Sequence, residues 1–421
     1  MIEDNSNTRT PIIRFQGFNG EWEKKKIGDI AIVLQGYGFP EKYQGQKYGD
    51  LPFCKVGDIS SAVDRGEMVI NKADNFVDYS LLPVLHAQPI PVGSTIFAKI
   101  GEAIRSNKRI RTGVPCLIDN NAAAVKSKGE ISDTFLFYLM SKVNLADYSG
   151  GIVPSVNKST IEAIDVLVPS SRDEQQKIAE CLEAIDQMIS AQNQKVESLK
   201  AHKKGLMQQL FPQPGATTPA LRFPGFTGKW QEKKLNKVFS RVTRKNAENN
   251  QNVLTISAQY GLISQLEFFK KSVASSDVTG YYLLHRGEFA YNKSSSQGRP
   301  VGAIKPLRLY DKGVVSTLYI CFKCNNPEEI DFWEQYFDAG ILDSEILSIA
   351  QEGARNHGLL NISTGDFFGL NVILPTPPEM KKIAECLFSF DDVITAAENE
   401  LDSLKAHKKG LMQQLFPQLQ K

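Results

Sequence analysis

The 421-residue sequence predicts an α+β protein with two mixed α/β regions, separated by two long antiparallel coiled-coil helices in a pseudo-twofold internal repeat. Three observations predict this architecture. One block of sequence opens each half of the chain, a second block closes each half, and the closing blocks carry the 3.5-residue apolar period of a coiled coil. A chain of this length suits two to three domains, and the repeat favours two copies of one unit.

The opening and closing blocks of the two halves are closely alike. RFQGFNGEW (Arg14–Trp22) and RFPGFTGKW (Arg222–Trp230) are identical at six of nine positions. The closing segments, Glu174–Gln213 and Glu379–Gln418, are identical at 26 of 40 positions. Each unit therefore begins with the same short element and ends with the same helical segment.

The middles of the two halves do not repeat. Residues 30–150 and 240–350 share no alignment that the eye can follow, although NKST at 157–160 matches NIST at 361–364 just beyond them. If the repeat is a duplication, the shared ends perform one task twice. The divergent middles then perform two different tasks.

The closing segments predict two helices that pair with each other. Their apolar residues alternate in spacing by four and three, and Lys203 and Lys408 occupy the same place in each seam, where a polar residue commonly fixes register. Both predicted helices end at Phe-Pro, as expected when proline follows a helix. Two like seams can pair antiparallel about a pseudo-twofold axis, although packing of each helix on its own region stays open. The predicted helix-pairing residues are Ile178, Leu182, Ile189, Val196, Leu199, Leu206 and Leu210 in the first helix, and Ile383, Leu387, Ile394, Leu401, Leu404, Leu411 and Leu415 in the second.

The middles have the patterns of short strands and a few helices. Short apolar runs after turn residues predict strands, among them Val253–Ser257 and Val314–Cys324. Helical patterns cover Glu130–Lys142 and Glu328–Leu347. Each middle is therefore predicted to be a mixed α and β region.

Cationic, glycine-containing loops follow a predicted strand in both middles, and a second matched pair of polar loops lies further along. Basic loops with small polar residues suit contacts to phosphates and base edges, although a solvated charged loop is the plainer interpretation of either one alone. The candidate DNA-binding residues are Lys99, Arg105, Lys108, Arg109, Arg111, Asn157 and Lys158 in the first half, and Lys293, Ser295, Arg299, Lys305, Arg355, Asn356 and His357 in the second.

Composition narrows the class of protein. The formal net charge is +2, so a DNA-binding surface would need its cations on one face. No apolar run is long enough to span a membrane, and the polar N-terminus lacks a signal-peptide pattern, so we expect a cytoplasmic protein. The six cysteines do not form a disulfide framework, and the lone CxxC of Cys321 and Cys324 fits a strand better than a zinc site. We therefore expect no bound metal.

The sequence carries no signature of catalysis. It contains no Walker A loop, no GxGxxG after a strand, no GxSxG and no HExxH. It also lacks the Asp-Pro-Pro-Tyr and Asn-Pro-Pro-Phe tetrapeptides of amino-methyltransferases. We expect no catalytic residue in this chain, which would position something that other chains act on.

Across essentially its whole length the chain resembles the specificity subunit of a Type I restriction–modification enzyme. The resemblance is carried by the RFxGFxGxW openings, the NxST segments and the paired KIAECL…SLKAHKKGLMQQLFP helices around two divergent middles. It implies target recognition domains at residues 1–170 and 214–376, each followed by a conserved helix, at 171–213 and 377–421. Each recognition domain would read one half of a bipartite site in double-stranded DNA, and the helices would set the spacing.

The resemblance also implies the partners. Two methyltransferase (M) subunits would dock on the chain, and restriction (R) subunits would join them. S-adenosylmethionine, ATP and Mg²⁺ would belong to those partner subunits, with no cofactor in this chain. Two other classes stay open from the residues alone: a stand-alone enzyme such as a nuclease, and a coiled-coil adaptor that does not touch DNA.

Overall fold

A computed structural model describes residues 9–257, 261–269, 277–294, 300–350, 358 and 360–417. The chain forms two compact units: unit 1 comprises Met1–Glu197 and Ala396–Lys421, and unit 2 comprises Ser198–Thr395. Both units combine helices with mainly antiparallel sheets, which confirms the predicted α+β fold class. No helix in the described part of the chain is long and apolar enough to cross a membrane.

Unit 1 begins with strands and ends with a long helix. Its strands are β1 (Glu23–Lys26), β2 (Ala31–Gln35), β3 (Leu51–Cys54), β4 (Val69–Ile70), β5 (Phe76–Val77), β6 (Thr95–Ala98), β7 (Arg109–Thr112), β8 (Leu117–Ile118), β9 (Ala122–Ser127) and β10 (Asp165–Val168). Its helices are α1 (Ile27–Ile30), α2 (Val56–Asp64), α3 (Leu82–Leu85), α4 (Asp133–Lys142), α5 (Lys158–Glu162) and α6 (Arg172–Leu210), of which the part from Ser198 onward belongs to unit 2.

Unit 2 has the same plan. Its strands are β11 (Gln231–Lys234), β12 (Phe239–Arg241), β13 (Leu254–Ser257), β14 (Gly261–Ser264), β15 (Tyr282–His285), β16 (Phe289–Asn292), β17 (Ala303–Pro306), β18 (Lys312–Val315), β19 (Ile320–Cys324) and β20 (Asn371–Leu374). Its helices are α7 (Leu235–Val238), α8 (Gln265–Phe269), α9 (Ile330–Asp338), α10 (Asp343–Ile349), α11 (Thr364–Gly369) and α12 (Pro377–Leu415), of which the part from Ala396 onward belongs to unit 1.

Each middle contains its own sheet, and the two sheets have the same plan although the sequences of the middles do not align. In unit 1 the strand order is β2-β9-β6-β7-β4, and in unit 2 it is β12-β19-β16-β17. The strands β2, β9, β6 and β7 of unit 1 correspond in order to β12, β19, β16 and β17 of unit 2. In both sheets, each of these strands pairs antiparallel with its neighbour. The divergent middles are therefore built on one sheet plan, and the surrounding segments differ.

A repeated two-stranded frame closes each middle. β1 pairs antiparallel with β10, and β11 pairs antiparallel with β20. The turn into the next helix is held by the same backbone bond in both copies: the amide of Ile27 donates to Ile164 O at 2.9 Å, and that of Leu235 donates to Leu370 O at 2.9 Å. The frame brings the start and the end of each middle together.

The RFxGF opening anchors the frame to the long helix. Arg14 donates from Nε and Nη2 to the carboxylate of Glu174 at 2.8 and 2.7 Å, and Arg222 makes the same two bonds to Glu379. Both glutamates are 1% exposed. A bidentate arginine–carboxylate pair is strong and directional, and truncation of one partner would leave a buried charge uncompensated. The repeated opening motif is thus structural.

The Phe-Pro segments after the helices fill the cores. Phe416 lies in the core of unit 1 with its ring 5.8 Å from that of Trp22, edge to face. Phe211 lies in the core of unit 2 with its ring 6.4 Å from that of Trp230. Burying one such side chain is worth about 1.5–3 kcal/mol. Each core therefore contains the end of the helix that belongs, in sequence, to the other repeat.

The long helices pair antiparallel inside each unit. In unit 1, Lys408 Nζ lies 2.6 Å from the carboxylate of Asp186, and Gln192 donates to the Ala397 carbonyl at 2.9 Å. From the first of these contacts to the second, the residue number rises in α6 and falls in α12, so the two helices run antiparallel. Unit 2 contains the matching pair, with Lys203 Nζ 2.6 Å from the carboxylate of Asp391. The predicted polar seam positions are therefore ion-paired in both copies.

Two predicted elements are wrong in extent. Val314–Cys324 is divided between β18 and β19 by a turn in which the Tyr319 amide donates to Ser316 O. The single helix predicted over Glu328–Leu347 is divided into α9 and α10 at Gly340, whose φ of 72° lies in the left-handed region that ends helices.

Candidate nucleic-acid interface

Two loops that the sequence presents separately meet in unit 1. The cationic loop begins at Lys99, directly after β6, and the polar loop ends at Asn157, directly before α5. The Val156 amide donates to Lys99 O at 2.9 Å, and the Gly101 amide donates to Pro154 O at 2.8 Å. We call residues 99–107 and 150–157 together the loop junction of unit 1.

Unit 2 joins the corresponding loops in the same way. Lys293 follows β16 as Lys99 follows β6, and its carbonyl accepts a bond of 3.0 Å from the Leu360 amide. The Lys293 ammonium lies 3.5 Å from Ile362 O. The described part of this loop junction comprises residues 293–294 and 360–362. The predicted contacts Ser295, Arg299, Arg355, Asn356 and His357 lie outside the described residues.

The NxST segments attach each junction to the frame. Asn157 caps α5, because its Oδ1 accepts from the Thr160 amide at 2.8 Å. Ser363 caps α11 by accepting from the Asp366 amide at 3.0 Å. Side-chain caps satisfy amides that would otherwise lack a partner at the start of a helix. These polar residues therefore have a structural task, and Asn157 is also exposed.

The exposed cations of the first half are held in weak ion pairs. The Arg105 side chain is 66% exposed and lies 2.9 Å from the Glu102 carboxylate. Lys158 lies 3.6 Å from Glu162. Lys108 is less exposed and lies 2.6 Å from Asp64. Exposed pairs of this kind are worth about 0.2–1 kcal/mol, so these cations can exchange a carboxylate for a phosphate at little cost.

Lys99 is the most enclosed cation of the junction. Its ammonium donates to Gln35 Oε1 at the end of β2, and burial lowers the pKa of Lys99. A hydrogen-bonded, half-buried ammonium has a restricted position, which suits a directed contact better than a freely moving side chain does.

An exposed apolar tip projects from the polar loop. Reciprocal backbone bonds of 3.3 Å join Gly150 and Ser155, and the intervening turn contains Ile152 and Val153. Ile152 is fully exposed and Val153 is 60% exposed. Exposed apolar residues between polar ones mark a contact surface when they lie together. Sequence reasoning missed this tip, although an Ile-Val pair between Gly-Gly and Pro was available as a signal.

Arg109 and Arg111 were predicted to bind DNA, and the structure shows that this prediction is wrong. Arg109 is 7% exposed, and its guanidinium donates to Val143 O at 2.7 Å and to Asn107. Arg111 donates to Glu183 Oε1 at 2.5 Å, which joins β7 to α6. Both residues lie on β7 with their guanidinium groups turned inward. They hold unit 1 together and are not available to a duplex.

The predicted DNA contact at Lys305 is also wrong. It is 9% exposed on β17, and its ammonium lies 2.6 Å from Asp338 and 3.7 Å from Glu334 on α9. Burial raises the pKa of Glu334, and Lys305 opposes that shift. The lysine therefore compensates buried acids within unit 2.

The CxxC pair lies on β19, as the sequence indicates. Cys321 and Cys324 are both buried, and burial raises the pKa of their thiols to about 12 and about 11. Thiols of this kind stay protonated and do not favour metal binding. Within the described ranges, no group of three or more His, Cys, Asp or Glu side chains is placed to hold a metal ion.

Comparisons with known proteins agree with this geometry. Residues 19–201, from the first opening block into α6, match the family model of the Type I restriction modification DNA specificity domain. Over 193 residues the chain is 25% identical to the Type I restriction enzyme MjaIX specificity subunit of Methanocaldococcus jannaschii, covering 43% of this chain and 41% of that relative. The matched stretch thus spans less than half of that curated relative.

Two solved structures match over nearly the full length of the chain. The Type I restriction–modification S subunit from M. genitalium has a TM-score of 0.55 at 12% identity, covering 98% of this chain and 100% of that one. A chain of a type I R-M system, from a study of complex assembly and conformational transition, has a TM-score of 0.51 at 14% identity, covering 93% and 95%.

The resemblance to Type I specificity subunits is confirmed. The family match covers most of the first repeat, and the solved structures, at these low identities, show a shared fold over nearly the whole chain. Of the described candidates, Lys99, Arg105, Lys108, Asn157, Lys158 and Lys293 lie in or beside a junction, whereas Arg109, Arg111 and Lys305 lie in the interior.

Proposed function

We propose that this chain is the DNA sequence-recognition subunit of a Type I restriction–modification complex. Each middle is a target recognition domain, and each loop junction reads one half of a bipartite site in double-stranded DNA. The chain itself performs no catalysis.

The observation that supports this function is a repeated frame around non-repeated loops. The frame strands, the Arg–Glu anchor and the helix ion pair occur once in each unit with nearly the same distances. The junctions join at equivalent backbone positions but carry different side chains. Base contacts specify sequence through side-chain identity, so two different junctions on one frame suit two different half-sites.

The helices act as the spacer between half-sites. α6 and α12 each have 39 residues, about 58 Å at 1.5 Å per residue. This length corresponds to roughly 15–17 base pairs at 3.4 Å per pair. The half-sites are therefore read about one and a half helical turns apart, with the bases between them unread. The matched lysine–aspartate pairs hold the register of the helices and thereby the spacing.

Two copies of the frame suit two copies of a partner. A surface that occurs twice in one chain can bind the same protein twice, so we propose two methyltransferase subunits, with restriction subunits added to that assembly. S-adenosylmethionine, ATP and Mg²⁺ bind those partners. The chemistry is adenine methylation and DNA cleavage, performed at the place that this chain selects.

Reconstitution tests the proposal. The chain alone should bind duplex DNA without methylating or cleaving it. With its methyltransferase subunits and radiolabelled S-adenosylmethionine, it should direct methylation to one bipartite sequence. Methylation or cleavage by the chain alone would make it an enzyme, and sequence-independent methylation by the complex would make it an adaptor.

A further inference from the structure

A cavity of about 200 Å³ lies inside unit 1. Its walls come from the end of α2, from β7, from α4 and from the two long helices. Its charged lining residues are Asp64, Glu67, Arg109, Arg111, Asp186, Lys405 and Lys408. The volume is several times the roughly 30 Å³ that one water takes in the liquid, so the cavity can hold a small polyatomic ligand.

The acids of the cavity are already paired. Asp64 lies 2.6 Å from Lys108, Glu67 lies 2.7 Å from Arg65, and Asp186 lies 2.6 Å from Lys408. Arg111 is likewise paired, with Glu183 at 2.5 Å.

Two cations of the lining remain without a counter-charge. Neither Arg109 nor Lys405 forms an ion pair with any residue that the structure describes. Arg109 is buried within unit 1, whereas Lys405 is exposed. The lining therefore offers two uncompensated positive charges to a ligand.

Arg109 is the strongest indication of a ligand. It is 7% exposed, and no described group accepts a hydrogen bond from its Nε. Arg111 Nε is buried and lacks an acceptor as well. Buried charges in proteins are normally paired, and burial here lowers the pKa of Arg109 to about 9, which still leaves it cationic at neutral pH.

We propose that this cavity is a binding site for a small oxyanion of the phosphate class, held by Arg109 and Lys405. The guanidinium group matches tetrahedral oxyanions in geometry, and a dianion would balance the two free charges. A bound anion would bridge β7 of the recognition region and α12, and would thereby stabilise unit 1. Because Arg109 is buried, the oxyanion is a free anion of this class, such as inorganic phosphate, and not a backbone phosphate of DNA.

Unit 2 offers a matched control within the same chain. Arg109 pairs with Phe97 across β6 and β7, and at the corresponding place in unit 2 Ile304 pairs with Tyr291 across β16 and β17. The buried arginine is thus replaced by an apolar residue. Lys200 occupies the place in α6 that Lys405 occupies in α12, within an identical stretch of sequence. Lys200→Met is therefore the control for Lys405→Met.

The test uses the full chain and inorganic phosphate at constant ionic strength, with chloride as the reference anion. We expect a saturable rise in the thermal unfolding temperature and a measurable heat of phosphate binding. Lys405→Met should weaken phosphate affinity at least threefold, whereas Lys200→Met should not. Arg109→Met should abolish the effect, and Lys405→Met keeps the test valid if Arg109→Met does not fold.

Duplex DNA serves as a further control, because the buried Arg109 cannot meet a duplex. Lys405→Met and Lys200→Met should therefore change duplex affinity by similar amounts, and a loss at least threefold greater for Lys405→Met, with no effect of free phosphate, would overturn the proposal. If phosphate binding does not distinguish these two variants, the cavity holds only water and the proposal is overturned.

Discussion

At the scale of single residues, the cations of this protein divide into two groups by burial. Arg109, Arg111 and Lys305 are enclosed and bonded within their units. Arg105 and Lys158 are exposed beside the loop junction of unit 1, in weak pairs. Only the exposed group can meet a duplex, so mutations of the two groups should have different effects.

Arg105→Ala and Lys158→Ala test the exposed group. Each should weaken duplex binding, by about 1–3 kcal/mol if it meets a base edge and by less, with a reduced salt dependence, if it meets a phosphate. The measurement is affinity for the target duplex at several salt concentrations. Lys24→Ala, an exposed paired lysine of the frame strand β1, is the control and should change little. Unchanged affinity in both junction variants would move the DNA-reading surface elsewhere.

Lys305→Met tests the enclosed group through stability. Loss of the ammonium would remove the cation that lies 2.6 Å from Asp338 and 3.7 Å from Glu334, leaving Arg308 beside Glu334, and should reduce the free energy of unfolding by about 1–3 kcal/mol. The pKa of Glu334, already above its usual value of 4.5 through burial, should rise further. A carboxyl whose folded pKa is raised stabilises the fold below its unfolded pKa and loses that contribution as pH rises.

The destabilisation by Lys305→Met should therefore be small near pH 4 and grow toward pH 7, as measured by chemical denaturation. Arg105→Ala, an exposed change, should leave the unfolding curve almost unaltered at both pH values. Equal destabilisation at pH 4 and pH 7 would show that Lys305 does not compensate the buried acid.

The sequence could predict which segments carry cations but could not predict which of them face solvent. Arg109 and Arg111 are two residues apart on a strand, so they share a face. Whether that face meets the core depends on α4 and α6, which lie far along the chain. Ile152 and Val153 show the opposite case, because apolar residues that look like core lie exposed in a hairpin turn.

At the scale of elements, the long helices were predictable because their signal is long and periodic. The 3.5-residue spacing and the Phe-Pro ends place both helices, and the structure ends them at Leu210 and Leu415. The sheet plan shared by the middles was not predictable. Most of its strands have only four or five residues, and their partners are chosen by long-range packing that short patterns do not encode.

The ion pairs between helices can be tested by charge exchange. Lys408→Asp should destabilise the chain, since it places two acids together with Asp186. Addition of Asp186→Lys should restore part of the loss, with a coupling energy of about 1 kcal/mol for a partly exposed pair. Tyr138 also donates to Asp186, so the recovery should be incomplete. Additive effects of the two changes, measured by denaturant unfolding, would show that the pair does not hold the helices.

The spacer role can be tested by length. Insertion of one heptad at matched positions of α6 and α12 keeps the seam in phase and adds about 10 Å to each helix. The gap between methylated half-sites should then widen by about three base pairs, as seen by sequencing of modified DNA. The same insertion made in one helix only is the control and should impair assembly. An unchanged gap with both insertions would show that helix length does not set the spacing between half-sites.

At the scale of the whole molecule, the chain consists of a frame that is repeated in both units and of loop junctions whose side chains differ between the units. The repeated frame, anchored by Arg14–Glu174 and Arg222–Glu379, is the part that the sequence comparison could find unaided. The loop junctions are the part that carries different side chains in each unit. Sequence alone placed a cationic loop and a polar loop in each half, but only the folded chain shows that the two loops of each half are joined.

The most direct test of the account exchanges one middle in the assembled complex. Residues 31–156, between α1 and the cap of α5, would be replaced by the corresponding segment of another specificity subunit, and the methylated sequences would be mapped. We expect one half-site to change while the other half-site and the spacing stay the same. If both half-sites stayed unchanged, the divergent middle would not read DNA, and the central claim would be contradicted.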